Sequence, residues 1–153
     1  MLKHPAHLLA FGLGLGLMPA APGTFGTLLA FPVYGVLAAW TTPVALIAII
    51  AVLFAAGIPL CARTGRALGC ADHSGIVWDE IAAFLLVLFF TPAEPLWQGA
   101  AFVLFRLFDI LKPPPIRYYD RTLKGGFGVM FDDLLAAGYT LVVLAVVKAT
   151  TQW

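Results

Sequence analysis

The sequence predicts an all-α integral membrane protein, a bundle of about four to five long helices with a short N-terminal helix. The chain has 153 residues, of which 61% are hydrophobic and only 11% are charged, whereas a soluble domain carries about 25% charged residues. Its mean hydropathy is +0.95, and residues 4–62 contain no Lys, Arg, Asp or Glu. These observations exclude a disordered chain and an ordinary water-soluble domain, and the length predicts a single domain over residues 1–153. The net charge of +1 gives no reason to expect a nucleic-acid partner.

Proline, glycine and threonine divide the first apolar segments. Residues 6–17 are too few to cross a bilayer, which takes about 20 residues, so we expect a short helix at the interface. Residues 18–24 predict a loop. Gly23 or Thr24 is then predicted to cap a helix over about 25–40.

In the rest of the chain we expect a spanning helix over 44–62 and a polar loop over 67–77. Two shorter helices over about 78–90 and 96–112, a second loop over 116–129 and a final helix over about 131–148 follow. The segment 44–62 is an uninterrupted apolar run of spanning length. The turn 91–95 separates the two shorter helices, and the proline run 113–115 ends the second of them, because proline cannot continue a helix.

The charged residues are concentrated. All but three of them lie in two windows, 61–80 and 106–133. If successive helices alternate in direction, both windows and the N-terminus lie on the same side of the membrane. That side would hold every Lys and Arg except Lys148, so the positive-inside rule makes it cytoplasmic. The topology therefore predicts that the polar motifs meet at one membrane face.

Two pairs of adjacent carboxylates are each predicted to open a helix. They are Asp79-Glu80 and Asp132-Asp133. Favourable interaction with the helix dipole accounts for one acid at a helix start. It accounts less well for two adjacent acids that are followed at once by apolar residues at membrane depth. Carboxylate oxygens are the ligands that Mg²⁺ prefers. The sequence therefore predicts that Asp79, Glu80, Asp132 and Asp133 hold a metal ion.

Basic residues accompany these acids. Arg106, Asp109 and Lys112 follow one another at i, i+3 spacing, so they face each other along one helix. They form either a salt-bridged helix end or a phosphate clamp by Arg106 and Lys112, with Asp109 orienting the clamp, binding metal or attacking. The glycine-rich segment around Thr24 leads into a helix N-terminus, whose free N–H groups attract anions, so Thr24 is a third candidate phosphate binder.

This chemistry is that of phosphoryl transfer from a lipid to water. Metal and basic side chains would neutralise the phosphate, and a carboxylate or a metal-bound water would attack. The predicted catalytic residues are Asp79, Asp109 and Asp133. His73 is either a general acid or base or an ordinary loop residue. Cys61 and Cys70 lack a metal-binding spacing and are predicted to be free thiols.

Six segments resemble the bacterial phosphatidylglycerophosphatase A family in order and approximate spacing. They are His7–Ala10, Pro22–Thr27, Ile76–Glu80, Phe105–Pro113, Pro115–Ile116 and Gly125–Asp133. The resemblance implies a Mg²⁺-dependent, multi-pass phosphatase of the bacterial inner membrane. It implies that phosphatidylglycerophosphate is hydrolysed to phosphatidylglycerol and phosphate in phospholipid biosynthesis.

The chain departs from the family pattern in two places. Ala82 and Ala83 stand where glycine often follows the acidic pair, and Ser74 and Gly75 stand in reversed order, which weakens a nucleophilic role for Ser74. Two other functions also fit the residues. One is a phosphatase of another phospholipid monoester such as phosphatidic acid, and the other is a non-enzymatic, small cation-binding membrane protein.

Overall fold

The computed structural model describes residues 3–70, 73–123 and 125–151, and over these residues the regular secondary structure is all helical, with no strand. Seven α-helices and one 3-10 turn (Leu15–Leu17) follow one another in this described part of the chain. The helices are α1 (Pro5–Ala10), α2 (Pro22–Trp40), α3 (Pro43–Leu68), α4 (Trp78–Phe90), α5 (Pro95–Leu111), α6 (Ile116–Thr122) and α7 (Gly125–Thr151). Of these, α2, α3 and α7 are long and apolar enough to cross a membrane. The predicted class of helical membrane protein is confirmed.

Most helix boundaries follow from local sequence. Four helices, α1, α2, α3 and α5, begin with proline in the first turn, where the missing N–H has no partner to lose. Thr42 caps α3 by accepting a hydrogen bond from the Ala45 N–H at 3.3 Å. Gly69 ends α3 in the left-handed conformation, with φ of +71°, which glycine adopts at no steric cost.

The N-terminal boundaries differ from the prediction in two places. The segment 6–17 is not one helix, because the chain turns at Gly12 and Gly14, which have φ of +58° and +104°, and only α1 and the 3-10 turn remain. Helix α2 begins three residues earlier than expected. Its N-cap is Ala21, so the prediction of a cap at Gly23 or Thr24 is wrong.

The predicted loops 67–77 and 116–129 are also partly wrong. Helix α3 continues to Leu68, and the second loop contains α6 and the start of α7. Asp132 and Asp133 therefore lie in the third turn of α7 rather than at its start. The reason lies in Gly126, where a Cβ would overlap the Ile58 carbonyl oxygen of α3. The glycines of this segment thus let two helices approach closely instead of making a loop.

Helix α4 is the centre of the bundle. It packs against α2, α3, α5 and α7, and its Phe84, Leu85 and Val87 side chains are fully buried. With 13 residues it is too short for a free membrane span, but its neighbours shield it. Its N-terminal turn lies beside the start of α2 and the C-terminal half of α5, which brings the polar residues of three helices together.

Candidate active site

Three carboxylates from three helices meet at the N-terminal end of α4. One carboxylate oxygen each of Glu80 (α4), Asp109 (α5) and Asp133 (α7) lies within 4.8 Å of the other two. Asp133 is 3% exposed, and the side chains of Glu80 and Asp109 are 13% and 12% exposed. Acids this close and this buried repel one another unless a cation or a proton neutralises them. We call this group the carboxylate cluster.

Arg106 supplies one positive charge to the carboxylate cluster. Its Nη1 donates to Glu80 Oε1 at 3.1 Å and to Asp109 Oδ2, and its side chain is 14% exposed. One guanidinium balances only one of three carboxylates. Glu80 Oε2, Asp133 Oδ2 and Arg106 Nε are buried and make no hydrogen bond among the described residues. Because buried polar atoms are normally paired, these three atoms are available to a ligand.

The cluster favours the neutral form of Glu80, which lies outside the three helices long enough to span a membrane. Burial raises the pKa of Glu80 well above its usual range, and the negative charges of Asp79 and Asp109 raise it further, while Arg106 opposes the shift. A cation bound among these carboxylates would reverse that preference.

The start of α2 lies directly against this cluster. A Cβ at Gly23 would overlap Glu80 Oε1 and lie 2.9 Å from Arg106 Nη2. Thr27 donates a hydrogen bond from its hydroxyl to the Gly23 carbonyl oxygen at 2.8 Å, which fixes this turn. Thr24 follows Gly23 and is half-buried. The glycine therefore lets the N-terminal turn of α2 reach the same site as the acids.

Lys112 makes a second ionic group beside the cluster. It ends α5 with φ of +48°, and its Nζ donates to Asp120 Oδ1 of α6 at 2.9 Å. The same Nζ lies 3.9 Å from Asp132 Oδ2 of α7. The ammonium thus links α5, α6 and α7. Asp120 was missed by sequence analysis, because nothing in the segment 116–129 distinguished it from other polar residues.

Of the four carboxylates predicted to hold metal, two therefore lie in the carboxylate cluster and two lie beside it. Glu80 and Asp133 lie in the cluster, which Asp109 completes. Asp132 is turned toward Lys112, and Asp79 is buried beside Glu80, with 6% exposure. The predicted phosphate binders Arg106, Lys112 and Thr24 all lie at this end of the bundle.

The two histidines of interest make structural contacts. His73 Nδ1 accepts a hydrogen bond from the Gly75 N–H at 2.9 Å, and its ring packs edge-on against Phe11. His7 Nδ1 and the Thr64 hydroxyl are hydrogen-bonded at 2.8 Å and join α1 to α3. Desolvation lowers the pKa of His7, and the charges of His4 and Arg63 lower it further.

The two cysteines, Cys61 and Cys70, are reduced and form no disulfide bond, as predicted. Cys61 is buried and Cys70 is exposed. Neither belongs to the carboxylate cluster.

Comparison with known proteins gives consistent matches over almost the whole chain. A family model described as Phosphatidylglycerophosphatase A matches residues 8–148. Phosphatidylglycerophosphatase A of Haemophilus influenzae is 46% identical over 150 residues, which cover 96% of this chain and 91% of the relative. The Escherichia coli protein of the same name is 40% identical over 137 residues, which cover 88% and 78%.

A third relative has a different description. A Bacteroides thetaiotaomicron protein, provisionally described as a phosphatidylinositol-3-phosphatase, is 37% identical over 162 residues, which cover 96% of this chain and 98% of the relative. No solved structure matches the chain.

Proposed function

Because the chain belongs to the phosphatidylglycerophosphatase A family, as its motifs predicted, we propose that it is a phosphatase of phosphatidylglycerophosphate. The reaction transfers the terminal phosphoryl group to water and leaves phosphatidylglycerol and phosphate, a step of phospholipid biosynthesis. The observation that carries this proposal is the carboxylate cluster with Arg106 at its edge, at the point where α2, α4, α5 and α7 meet.

We propose that the carboxylate cluster holds Mg²⁺. Three oxygens from three carboxylates within 4.8 Å of one another match the preference of this hard cation for oxygen ligands. Glu80 Oε2 and Asp133 Oδ2 make no hydrogen bond among the described residues, so a cation would satisfy atoms that are otherwise buried without a partner. Asp79, buried in the same turn as Glu80, is the proposed neighbouring ligand. When bound, the ion would neutralise phosphate oxygens and acidify water.

We assign Arg106, Lys112 and Thr24 to the phosphate. Arg106 already bonds two acids of the cluster, and a guanidinium matches phosphate geometry well. Lys112 and the N-terminal turn of α2 at Thr24 would contact the same group from two other sides. Asp132 lies 3.9 Å from Lys112 and orients its ammonium group in this assignment.

The acids carry the proton transfers in this assignment. Hydrolysis breaks the bond between phosphorus and the lipid oxygen, water supplies the new oxygen on phosphorus, and the departing alcohol takes up a proton. Asp109 is fixed by Arg106 beside Glu80 and Asp133, so it is the carboxylate best placed to accept a proton from the attacking water. Asp79 and Asp133 complete the proposed catalytic set.

We propose that the protein spans the bacterial plasma membrane several times, with this site on the cytoplasmic face. Three helices have the length and composition for spanning. The site lies where the N-terminal ends of α2 and α4 meet. The two charged windows of the sequence, 61–80 and 106–133, contribute residues to this site and contain most of the Lys and Arg. Positive charge of this kind stays in the cytoplasm.

The relative described as a phosphatidylinositol-3-phosphatase supports a second candidate substrate, another phosphatidyl lipid with a phosphate monoester. The deciding experiment measures phosphate release by purified, detergent-solubilised protein, with and without Mg²⁺. It compares phosphatidylglycerophosphate, phosphatidylinositol 3-phosphate and phosphatidic acid. Mg²⁺-dependent release that favours the first lipid supports the proposal. If the protein prefers another lipid, that lipid becomes the proposed substrate. If folded protein releases phosphate from none of the three lipids, the protein is a non-enzymatic cation-binding protein.

A further inference from the structure

The turn between α5 and α6 contains three consecutive prolines, residues 113–115, and we call it the proline turn. Proline has no backbone N–H, so these residues offer carbonyl oxygens but no donors. The Pro113 carbonyl accepts a hydrogen bond from the Ile116 N–H at 2.8 Å, and the Pro115 carbonyl accepts one from the Tyr119 N–H at 3.1 Å. Both donors belong to α6, so these two bonds join the turn to the helix that follows it.

The Pro114 carbonyl is bound from another part of the bundle. The hydroxyl of Tyr139, on α7, donates to this oxygen at 2.8 Å. The Tyr139 ring also packs edge-on against Phe108 of α5, with 5.5 Å between the ring centroids. Tyr139 therefore contacts the chain on both sides of Lys112, at a residue of α5 that precedes it and at a proline that follows it.

Lys112 has a backbone conformation that needs such contacts. Its φ is +48°, in the left-handed region that residues with a side chain rarely adopt. Conformations of this kind persist where the surrounding structure holds them. The Lys112 N–H donates to the Phe108 carbonyl oxygen at 2.9 Å, and the proline turn follows directly. The hydrogen bond from Tyr139 thus anchors the segment that keeps Lys112 in this conformation.

From this position the Lys112 side chain reaches two acids. Its Nζ donates to Asp120 Oδ1 at 2.9 Å and lies 3.9 Å from Asp132 Oδ2. Tyr139 follows Asp132 by about two helical turns, so the two residues lie on the same face of α7. Side chains on a helix lean toward its N-terminus, which directs the Tyr139 side chain toward the end of α7 that holds Asp132. One face of α7 thus contacts both the ammonium group and the turn beside it.

We propose that Tyr139 is a positioning residue, whose hydroxyl holds the proline turn so that the Lys112 ammonium group stays beside Asp120 and Asp132. This inference rests on the proposed function, in which Lys112 contacts the lipid phosphate. A lysine side chain is long and flexible, so a fixed backbone reduces the conformational freedom that is lost when the phosphate binds. Tyr139 acts on the phosphate through Lys112 and is not itself a catalytic residue.

Tyr139→Phe removes the hydroxyl and keeps the ring that packs on Phe108. It should raise the KM for phosphatidylglycerophosphate roughly three- to fivefold, the equivalent of one neutral hydrogen bond, and leave kcat within about twofold. Tyr118→Phe is the matched control, because it removes a tyrosine hydroxyl from an exposed side chain of α6 and should change neither constant. Phosphate release at varied lipid concentration measures both constants. An unchanged KM in Tyr139→Phe would overturn the proposal.

A double-mutant cycle separates positioning from general support of the fold. If Tyr139 acts through Lys112, Tyr139→Phe should have no further effect on KM in a protein that already carries Lys112→Ala. A merely structural role predicts instead that the two increases in KM multiply, as changes at independent sites do, and that result would contradict the proposal. Thermal unfolding in detergent shows whether each variant is folded under the conditions of the assay.

A labelling measurement tests the same contact without turnover. The Lys112 side chain is 24% exposed, and its amine should react with an acylating reagent at least twofold faster in Tyr139→Phe than in the unmodified protein. Mass spectrometry measures this rate, and the exposed Lys148 near the end of α7 is the internal reference, whose rate should not change. Equal rates at Lys112 in the two proteins would count against the proposal.

The two readouts distinguish failure of this inference from failure of the proposed function. If Lys112 labelling responds to Tyr139→Phe while the unmodified protein releases phosphate from no lipid, the proposed function fails and the positioning of Lys112 by Tyr139 stands. If the unmodified protein releases phosphate but neither KM nor labelling responds to Tyr139→Phe, the proposed function stands and the positioning role is wrong.

Discussion

Gly23 at the start of α2 and Glu80 at the start of α4 touch so closely that no side chain fits between them. The contact brings the N-terminal turn of one helix against the carboxylate cluster held by three others. Arg106 donates to the same carboxylate oxygen of Glu80, and its guanidinium also lies beside Gly23. The glycine thus decides how near the α2 backbone comes to the proposed phosphate position.

Gly23→Ala should reduce kcat/KM for phosphatidylglycerophosphate roughly tenfold or more, because the added methyl group must displace Glu80 or Arg106. The matched control is Gly35→Ala in the same helix, where a Cβ would meet no atom within 4 Å. Steady-state phosphate release and thermal unfolding should be measured together. Normal activity in Gly23→Ala would show that the close approach has no catalytic consequence.

Asp133→Asn should weaken Mg²⁺ binding at least tenfold and reduce turnover about a hundredfold, because it replaces one of the three cluster carboxylates with a neutral amide, which is a weaker ligand. Asp132→Asn is the neighbouring comparison. It should leave Mg²⁺ affinity within about twofold of the unmodified protein, since Asp132 faces Lys112. Titration calorimetry with Mg²⁺ alone measures both. Equal losses of affinity in the two variants would place the ion between the adjacent acids rather than in the cluster.

Asp120→Asn should change the function of Lys112 more than the stability of the fold. The ion pair is partly exposed, with side-chain exposures of 24% and 32%, so its loss should cost no more than about 1 kcal/mol of unfolding free energy. The freed ammonium group should lower the KM for the lipid phosphate, whereas Lys112→Ala should raise it. Arg121→Gln, an exposed change in the same helix α6, serves as the control. A KM that is unaffected in both test variants would remove Lys112 from the phosphate site.

Gly126→Ala should destabilise the bundle by about 1–3 kcal/mol, because the added methyl group overlaps the Ile58 carbonyl oxygen and the Ala62 backbone of α3. Gly138→Ala lies on the same helix in open space and should be neutral or slightly stabilising. Thermal unfolding in detergent compares the two. If both behave alike, the contact between α3 and α7 is not tight enough to depend on glycine.

Much of the fold follows from the sequence because it depends on local properties. An apolar run of spanning length predicted α3, shorter apolar segments predicted α2 and α7, and proline and threonine predicted most of the turns between helices. The approximate bounds predicted for α4, about 78–90, agree with the observed Trp78–Phe90. The loop predicted at 116–129 failed because glycine has two uses that a sequence alone does not separate. It permits turns, and it also permits close helix packing, as at Gly126.

The site was predicted as a set of residues but not as an arrangement. Two acidic pairs, Arg106 and Lys112 were identified because charge is rare in this chain and therefore informative. The partner of Lys112, Asp120, was not, because their contact depends on how α6 packs against α7 after the end of α5.

The sequence by itself determined the helical membrane class, the two polar regions and the types of side chain that meet at one end of the bundle. Only the tertiary structure decided which acid of each pair enters the carboxylate cluster. Adjacent residues on an α-helix point about 100° apart, so Glu80 and Asp79, like Asp133 and Asp132, face different neighbours. Which one faces the cluster depends on the rotation of α4 and α7 about their own axes. That rotation is set by long-range packing, at Gly23 against Glu80 and at Gly126 against α3, and not by local sequence.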